Sequence, residues 1–432
     1  MSGLRTAVSW IFAKRRRAAL FCIAVLTVGW FIFFARRRER LRTEKTVLIA
    51  ALRARGEATD LADFAAIAGR DDPGLRHLCR ALLALDRETA SHLVREPNGP
   101  LGLSLKRLVG DWTPPADPPG AGDWMAIDFL DDPKPDPKLT ASVRKLEPAF
   151  AELERACERP AALFPHNFES DKPSSILLPQ VQDMRSLARA CRAGAFEAIA
   201  AGDARRAWRF TLLGVRLPGR LDAEAFPIPK LVQAAVFHVA FSVLEKTLAS
   251  FDPTPDEFEK LDAALDAAER FQFREAILGD QAATLRALDR LNVEEILNAA
   301  NPPLSRVDQW ALQALVRYES SWIGEPARLE EQIWLLANLE RRLKAADDLG
   351  PAGATALKEH DADLGARRTL SIVARLGLPL DVLRTAKHRL MVQAHLARSG
   401  LRLGRHRALY GRLPDSLAAV ADAAWSPETE RL

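Results

Sequence analysis

The sequence predicts an all-α protein: an N-terminal transmembrane helix followed by an irregular multi-helix domain of helix-hairpin type. Three observations carry that class. Ala18 to Ala35 reads AALFCIAVLTVGWFIFFA without a charge, between Lys14-Arg15-Arg16-Arg17 and Arg36-Arg37-Arg38. Apolar residues then recur at three and four through most of the chain, as in Met184, Leu187, Ala188, Cys191, Ala195, Ala198 and Ile199. No β-rich run of useful length competes with them.

Taken in order, residues 1–17 form a basic tail and 18–35 the span. At about 1.5 Å per residue the span is about 27 Å long, close to a bilayer's hydrocarbon core of roughly 30 Å. Bulky Phe33-Phe34 and then arginines end it, where a cleaved signal peptide needs small residues. Six positive groups on each side nearly balance the positive-inside rule, and the short basic tail favours tail inside, domain outside the cytoplasm. Residues 36–55 continue without Pro or Gly to Gly56, as a helical stalk.

A small helical subdomain is expected over 56–111, with Asp72-Pro73 starting its second helix. Residues 112–138 hold seven prolines, which excludes regular helix or central strand, and read as an apolar-studded strap. Its aspartates lack the 1-3-5 spacing of a calcium loop. The main helical domain runs over 139–348. Within it Gly202-Asp203 turns one helix into the next, 231–244 is apolar nearly all round and so central, and Thr254-Pro255-Asp256-Glu257 is a strong start signal. Residues 349–432 form a C-terminal helical region, with a long helix from Asp381 to about Tyr410.

Charge and cysteines narrow the function classes. The first forty residues hold nine Lys/Arg and one acid, or +8, so the remainder of a chain of net +4 carries 4 − 8 = −4. A domain of that sign is a poor nucleic-acid binder, because such affinity comes from neutralising phosphates. Cys22, Cys79, Cys157 and Cys191 are scattered singly, with no CxxC or His-spaced set for zinc. No GxSxG, HExxH, GxxxxGK[ST] or strand-borne GxGxxG appears. No cofactor or metal is expected.

Two polar constellations remain. His166, Glu169 and Asp171 stand close together in the loop Phe164-Pro165-His166-Asn167-Phe168-Glu169-Ser170-Asp171, where a base and its orienter fit, against the commoner capped surface turn. His238, inside the apolar helix, reads as a hydrogen-bonded core histidine. On the last long helix Arg384, His388, His395, Arg398, Arg402, Arg405 and His406 lie opposite the apolar face of Leu383, Ala386, Leu390, Ala394, Ala397, Leu401 and Ala408. That stripe suits an anionic headgroup or acidic partner, or else pairing with acids of a neighbouring helix.

The segments Pro160-Ala161-Ala162-Leu163-Phe164-Pro165, Leu178-Pro179, Met184-Arg185-Ser186-Leu187-Ala188-Arg189, Ala201-Gly202-Asp203, Leu231-Val232 and the closing Tyr410-Gly411-Arg412-Leu413-Pro414-Asp415-Ser416-Leu417 resemble a group of bacterial proteins of planctomycete and related type. Members of that group are single-pass anchored and mostly helical, with no established activity. The resemblance implies an architecture and no activity, and the anchor is expected in the bacterial cytoplasmic membrane. The closing phrase is also similar to the region after the long helix of type II secretion pseudopilins, but the N-terminus lacks their processing site. The expectation is a membrane-anchored scaffold or interaction module at the bacterial envelope, bound to lipid through 18–35 and to a protein partner. The alternative is an enzyme of a helical family using the His166 loop.

Overall fold

The computed structural model describes residues 2–68, 72–85, 109, 112, 135–164, 166, 168, 180–290, 313–314, 316–318, 321, 324–367, 380–414 and 416, with the side chains of α1 from Val25 on. Among these there is no strand. The helices are α1 (Ser2–Ala54), α2 (Leu61–Ile67), α3 (Pro73–Leu85), α4 (Pro137–Lys145), α5 (Glu147–Cys157), α6 (Gln180–Ala200), α7 (Ala204–Arg216), α8 (Pro227–Ser250), α9 (Pro255–Glu269), α10 (Arg274–Arg290), α11 (Glu325–Ala337), α12 (Leu339–Asp347), α13 (Pro351–Arg367) and α14 (Leu380–Tyr410). A 3-10 turn, Leu217–Leu221, follows α7. The protein is all-α.

Local chemistry explains the boundaries. Gly56, Gly202 and Gly411, at φ of +78°, +72° and +69°, end three helices in the left-handed conformation that a Cβ disfavours. Asp203 accepts from the Arg206 amide at 3.1 Å and opens α7. Thr254 and Glu257 close a reciprocal capping box on α9, with Pro255 in the first turn. The proline-rich segment is in part helical: Asp136 caps α4 and Pro137 starts it, because a first-turn proline forfeits no intrahelical bond. Helices α11 and α12 are parted at Asn338, whose side chain donates to the Trp334 carbonyl at 2.8 Å.

The chain divides into two units. One comprises 1–57, 284–339 and 364–377, and in it the stalk portion of α1 packs along α11. Arg37 pairs with Glu330 at 2.5 Å, and Arg38 and Arg42 reach Glu325 at 3.5 and 2.5 Å. Leu41 and Leu52 are buried, so residues 36–55 are part of a folded body.

The other unit comprises 58–283, 340–363 and 378–432. Its core is a layering of α3 on α5, α6 on α7 and α8, and α14 on α8 and α9. Leu75, Leu78, Phe150, Leu153, Met184, Leu187, Phe210 and Val236 meet in it. Two close approaches depend on missing side chains. A Cβ at Gly194 would lie 2.8 Å from the Phe210 ring, and one at Gly279 only 1.7 Å from the Ala225 carbonyl oxygen.

Helix α8 is longer than its apolar run suggests, at 24 residues, because Pro227 and Pro229 sit in its first turn. Among the described residues it is the helix long and apolar enough to cross a membrane, and 61% of its apolar window is buried within the fold. Burial, and not shortness, identifies it as the centre of this unit.

Candidate binding groove and the buried His166 pair

The clearest concavity in the second unit is a trough of about 520 Å³ between α8 and α14. Phe241, Leu244 and Leu248 supply one side; Leu396, Ala397, Gly400 and Leu403 supply the other, and Leu413 closes an end. Glycines set the spacing of these helices. A Cβ at Gly404 would meet Leu248 at 2.8 Å, and one at Gly400 would touch the same leucine at 3.6 Å. Leu396 and Leu413 stand 67% and 58% exposed on the lips.

Polar groups finish the trough by pairing with one another. At one end Gln393 Nε2 and His238 Nδ1 are 2.7 Å apart. Arg407 donates to Asp252 at 2.6 Å and to the Leu248 carbonyl at 2.9 Å. His238 is therefore exposed on a rim and not a core histidine: a helix apolar nearly all round still turns one narrow strip to solvent. Between these ends the lining is mainly apolar, and Ser242 in it donates its hydroxyl to the Val239 carbonyl at 2.8 Å.

His166 lies elsewhere in the same unit. Its Nε2 meets Glu224 Oε2 at 2.9 Å, with the two side chains 1% and 0% exposed. Phe164, Phe168 and Phe226 surround the imidazole at ring separations of 6.2, 5.4 and 5.9 Å. Glu169 and Asp171 lie outside the described residues. The carboxylate that orients His166 comes from 58 positions along the chain, with no local signal to give it away. The pair is shut away from solvent, and Glu224 Oε1 has no hydrogen-bond partner among the described residues.

Five of the seven members of the basic stripe of α14 are engaged separately inside the unit. Arg384 donates to the carbonyls of Asp348, Leu349 and Gly350 beyond the end of α12. Lys387, on the stripe's flank, is buried against the Asp347 carboxylate at 2.9 Å and its carbonyl at 2.7 Å. Arg398 holds Asp262 at 2.7 Å and Glu269 at 2.5 Å, and His395 lies 3.2 Å from Glu269. Arg405 sits 4.3 Å over the Phe258 ring. His406 bonds the Arg412 carbonyl at 3.0 Å, while His388 and Arg402 are half-buried. Pairing with acids of a neighbouring helix accounts for Arg398 and His395, which meet Asp262 and Glu269 of α9.

Among the described residues no group of three His, Cys, Asp or Glu has metal-binding geometry. Cys79, Cys157 and Cys191 are free, and burial pushes the thiols of Cys79 and Cys157 up to about 12 and that of Cys191 upward as well. Such thiols are packing groups and poor nucleophiles. Comparison with protein-family models, with curated proteins and with solved structures finds no match. The class of protein is thus defined by fold and groove alone: an all-α, two-unit chain with an apolar interhelical trough.

Proposed function

We propose that this chain is a single-pass membrane-anchored protein whose helical units serve as a protein-interaction module, with the α8–α14 trough receiving an amphipathic helix of a partner protein. The trough is the observation that carries this reading. Two long helices present an apolar channel with exposed leucines on its lips and polar pairs at its ends. That form fits the apolar stripe of a helix and leaves the helix's polar face wet.

The anchor rests on α1. Val25, Leu26, Val28, Trp30, Phe31, Ile32 and Phe33 are between 42% and 73% exposed along it. A contiguous apolar belt of this kind needs a cover, and a bilayer is the cover that the uncharged run from 18 to 35 matches in length. The resemblance to anchored planctomycete-type proteins supports the bacterial cytoplasmic membrane as the location, with the basic tail inside.

A photo-crosslinking residue placed at Leu396 or Leu403 of the full chain in native membranes tests the interaction. A defined protein adduct is expected at both positions, reduced by Leu413→Asp, with none from exposed Glu259 on α9. Equal labelling at all three positions, or no protein adduct in the trough, rejects the reading.

A further inference from the structure

A second pocket, of about 470 Å³, lies where α5, α7, α8 and α9 approach one another. Its apolar wall includes Val215, Phe237 and the alanines 263, 264 and 267 of α9. The same lining includes the cations of Arg159, Arg216, Arg220 and Lys260 and two acids, Glu158 and Asp222.

Not all of that charge is available. Lys260 is paired with Asp256 at 2.6 Å. Exposed Arg159 stands beside exposed Glu158. Asp222 accepts from the Gln233 amide, and its backbone carbonyl takes the Lys230 ammonium at 2.7 Å.

Two guanidiniums are left. Arg216, half-buried at the end of α7, makes no hydrogen bond or ion pair among the described residues. Arg220 is 3% exposed, and its Nη1 is fixed by the carbonyls of Arg159 and Pro160 at 2.5 and 2.7 Å. Its Nε and Nη2 have no hydrogen-bond partner among the described residues. Burial pushes the Arg220 guanidinium below the usual arginine range, and Cys157, Asp72 and Asp222 offset this only in part.

A buried cation with two unsatisfied nitrogens is costly, and the group that relieves the cost is an acceptor-only anion with several lone pairs. We propose that this pocket binds a small phosphate-type oxyanion through Arg216 and Arg220, with the apolar wall taking the ligand's organic part. Arginine suits the task because its fork matches phosphate geometry and stays charged.

Equilibrium dialysis of labelled inorganic phosphate against the full-length protein in neutral detergent, at ionic strength held constant with sodium chloride, tests it. One saturable site per chain is expected, weakened by about tenfold or more in Arg216→Gln, which corresponds to about 1.4 kcal/mol, and partly restored in Arg216→Lys. Arg220→Gln is expected to abolish the site; if that variant does not fold, Arg216→Gln decides alone. Absence of saturable uptake at millimolar phosphate, or equal uptake by Arg216→Gln, overturns the proposal. Displacement of the label by glycerol 3-phosphate but not by phosphatidylglycerol nanodiscs assigns the site to a free phosphate ester. Displacement by the nanodiscs, with phosphatidylcholine nanodiscs inert, assigns it to a lipid headgroup.

Discussion

At the residue scale, His360 on α13 couples this fold to pH. Its side chain is buried, at 4% exposure, and faces the guanidiniums of Arg342 and Arg341. Burial first, then those two charges, lower its pKa from 6.5 to about 4, while Asp363 pulls weakly the other way. Between pH 6.5 and 4 the unfolded chain therefore holds a proton that the folded chain does not, and stability falls as pH falls through that window. Urea midpoints at pH 7.5 and 4.5 are expected to differ less in His360→Gln than in the parent. Equal losses in both would show that other groups carry the acid response. Nothing in the sequence next to His360 announces this, because Arg341 and Arg342 stand on the preceding helix, α12. The same holds for His166 and Glu224: the histidine was visible as a polar residue among phenylalanines, and its partner was not.

At the element scale, α14 shows what periodicity delivers. The spacing of its apolar residues placed Leu383, Leu390, Ala394 and Leu401 correctly in the core, while Ala408 is exposed and Lys387 is buried. Lys387 defies the pattern because Asp347 of α12 satisfies its ammonium. Arg398 is the main electrostatic tie between α14 and α9, bonded to two carboxylates with 16% of its side chain exposed. Arg398→Ala is expected to cost roughly 2 kcal/mol, the range for hydrogen bonds to charged groups. A double-mutant cycle with Asp262→Ala, followed by urea unfolding, should return a coupling of about half that or more; additive single effects would place the stabilisation elsewhere. Caps such as the Thr254–Glu257 box were legible in advance because every atom they need lies within four residues.

At the scale of the whole molecule, the proposed anchor and the folded stalk divide within one continuous helix. Removing residues 1–33 should release the protein from membranes into the soluble fraction with its thermal unfolding unchanged, since the ion pairs of Arg37, Arg38 and Arg42 with α11 remain. Removing 1–55 should also release it, but the protein should lose an unfolding transition, because buried Leu41 and Leu52 and those ion pairs go too. A 1–33 deletion that still requires detergent would show that apolar surface outside the anchor drives membrane association. If the 1–55 deletion unfolds like the shorter one, the stalk contributes nothing to its unit.

The sequence by itself determined the helical class, the turns at Gly56, Gly202 and Gly411, the helix starts at Asp203 and Thr254, and the apolar run of α1, all of which rest on interactions within a few residues; it did not reveal the Asp136 cap of α4. Only the tertiary structure decided that the stalk is clasped by α11, that His238 stands on a rim, that Arg398 and His395 of the α14 stripe meet acids of α9, and that Arg220 is buried with two nitrogens lacking a partner among the described residues. The physical reason is common to all four. Each depends on which helix faces which, and periodicity records only that a face is apolar or charged, not the identity of the surface that meets it.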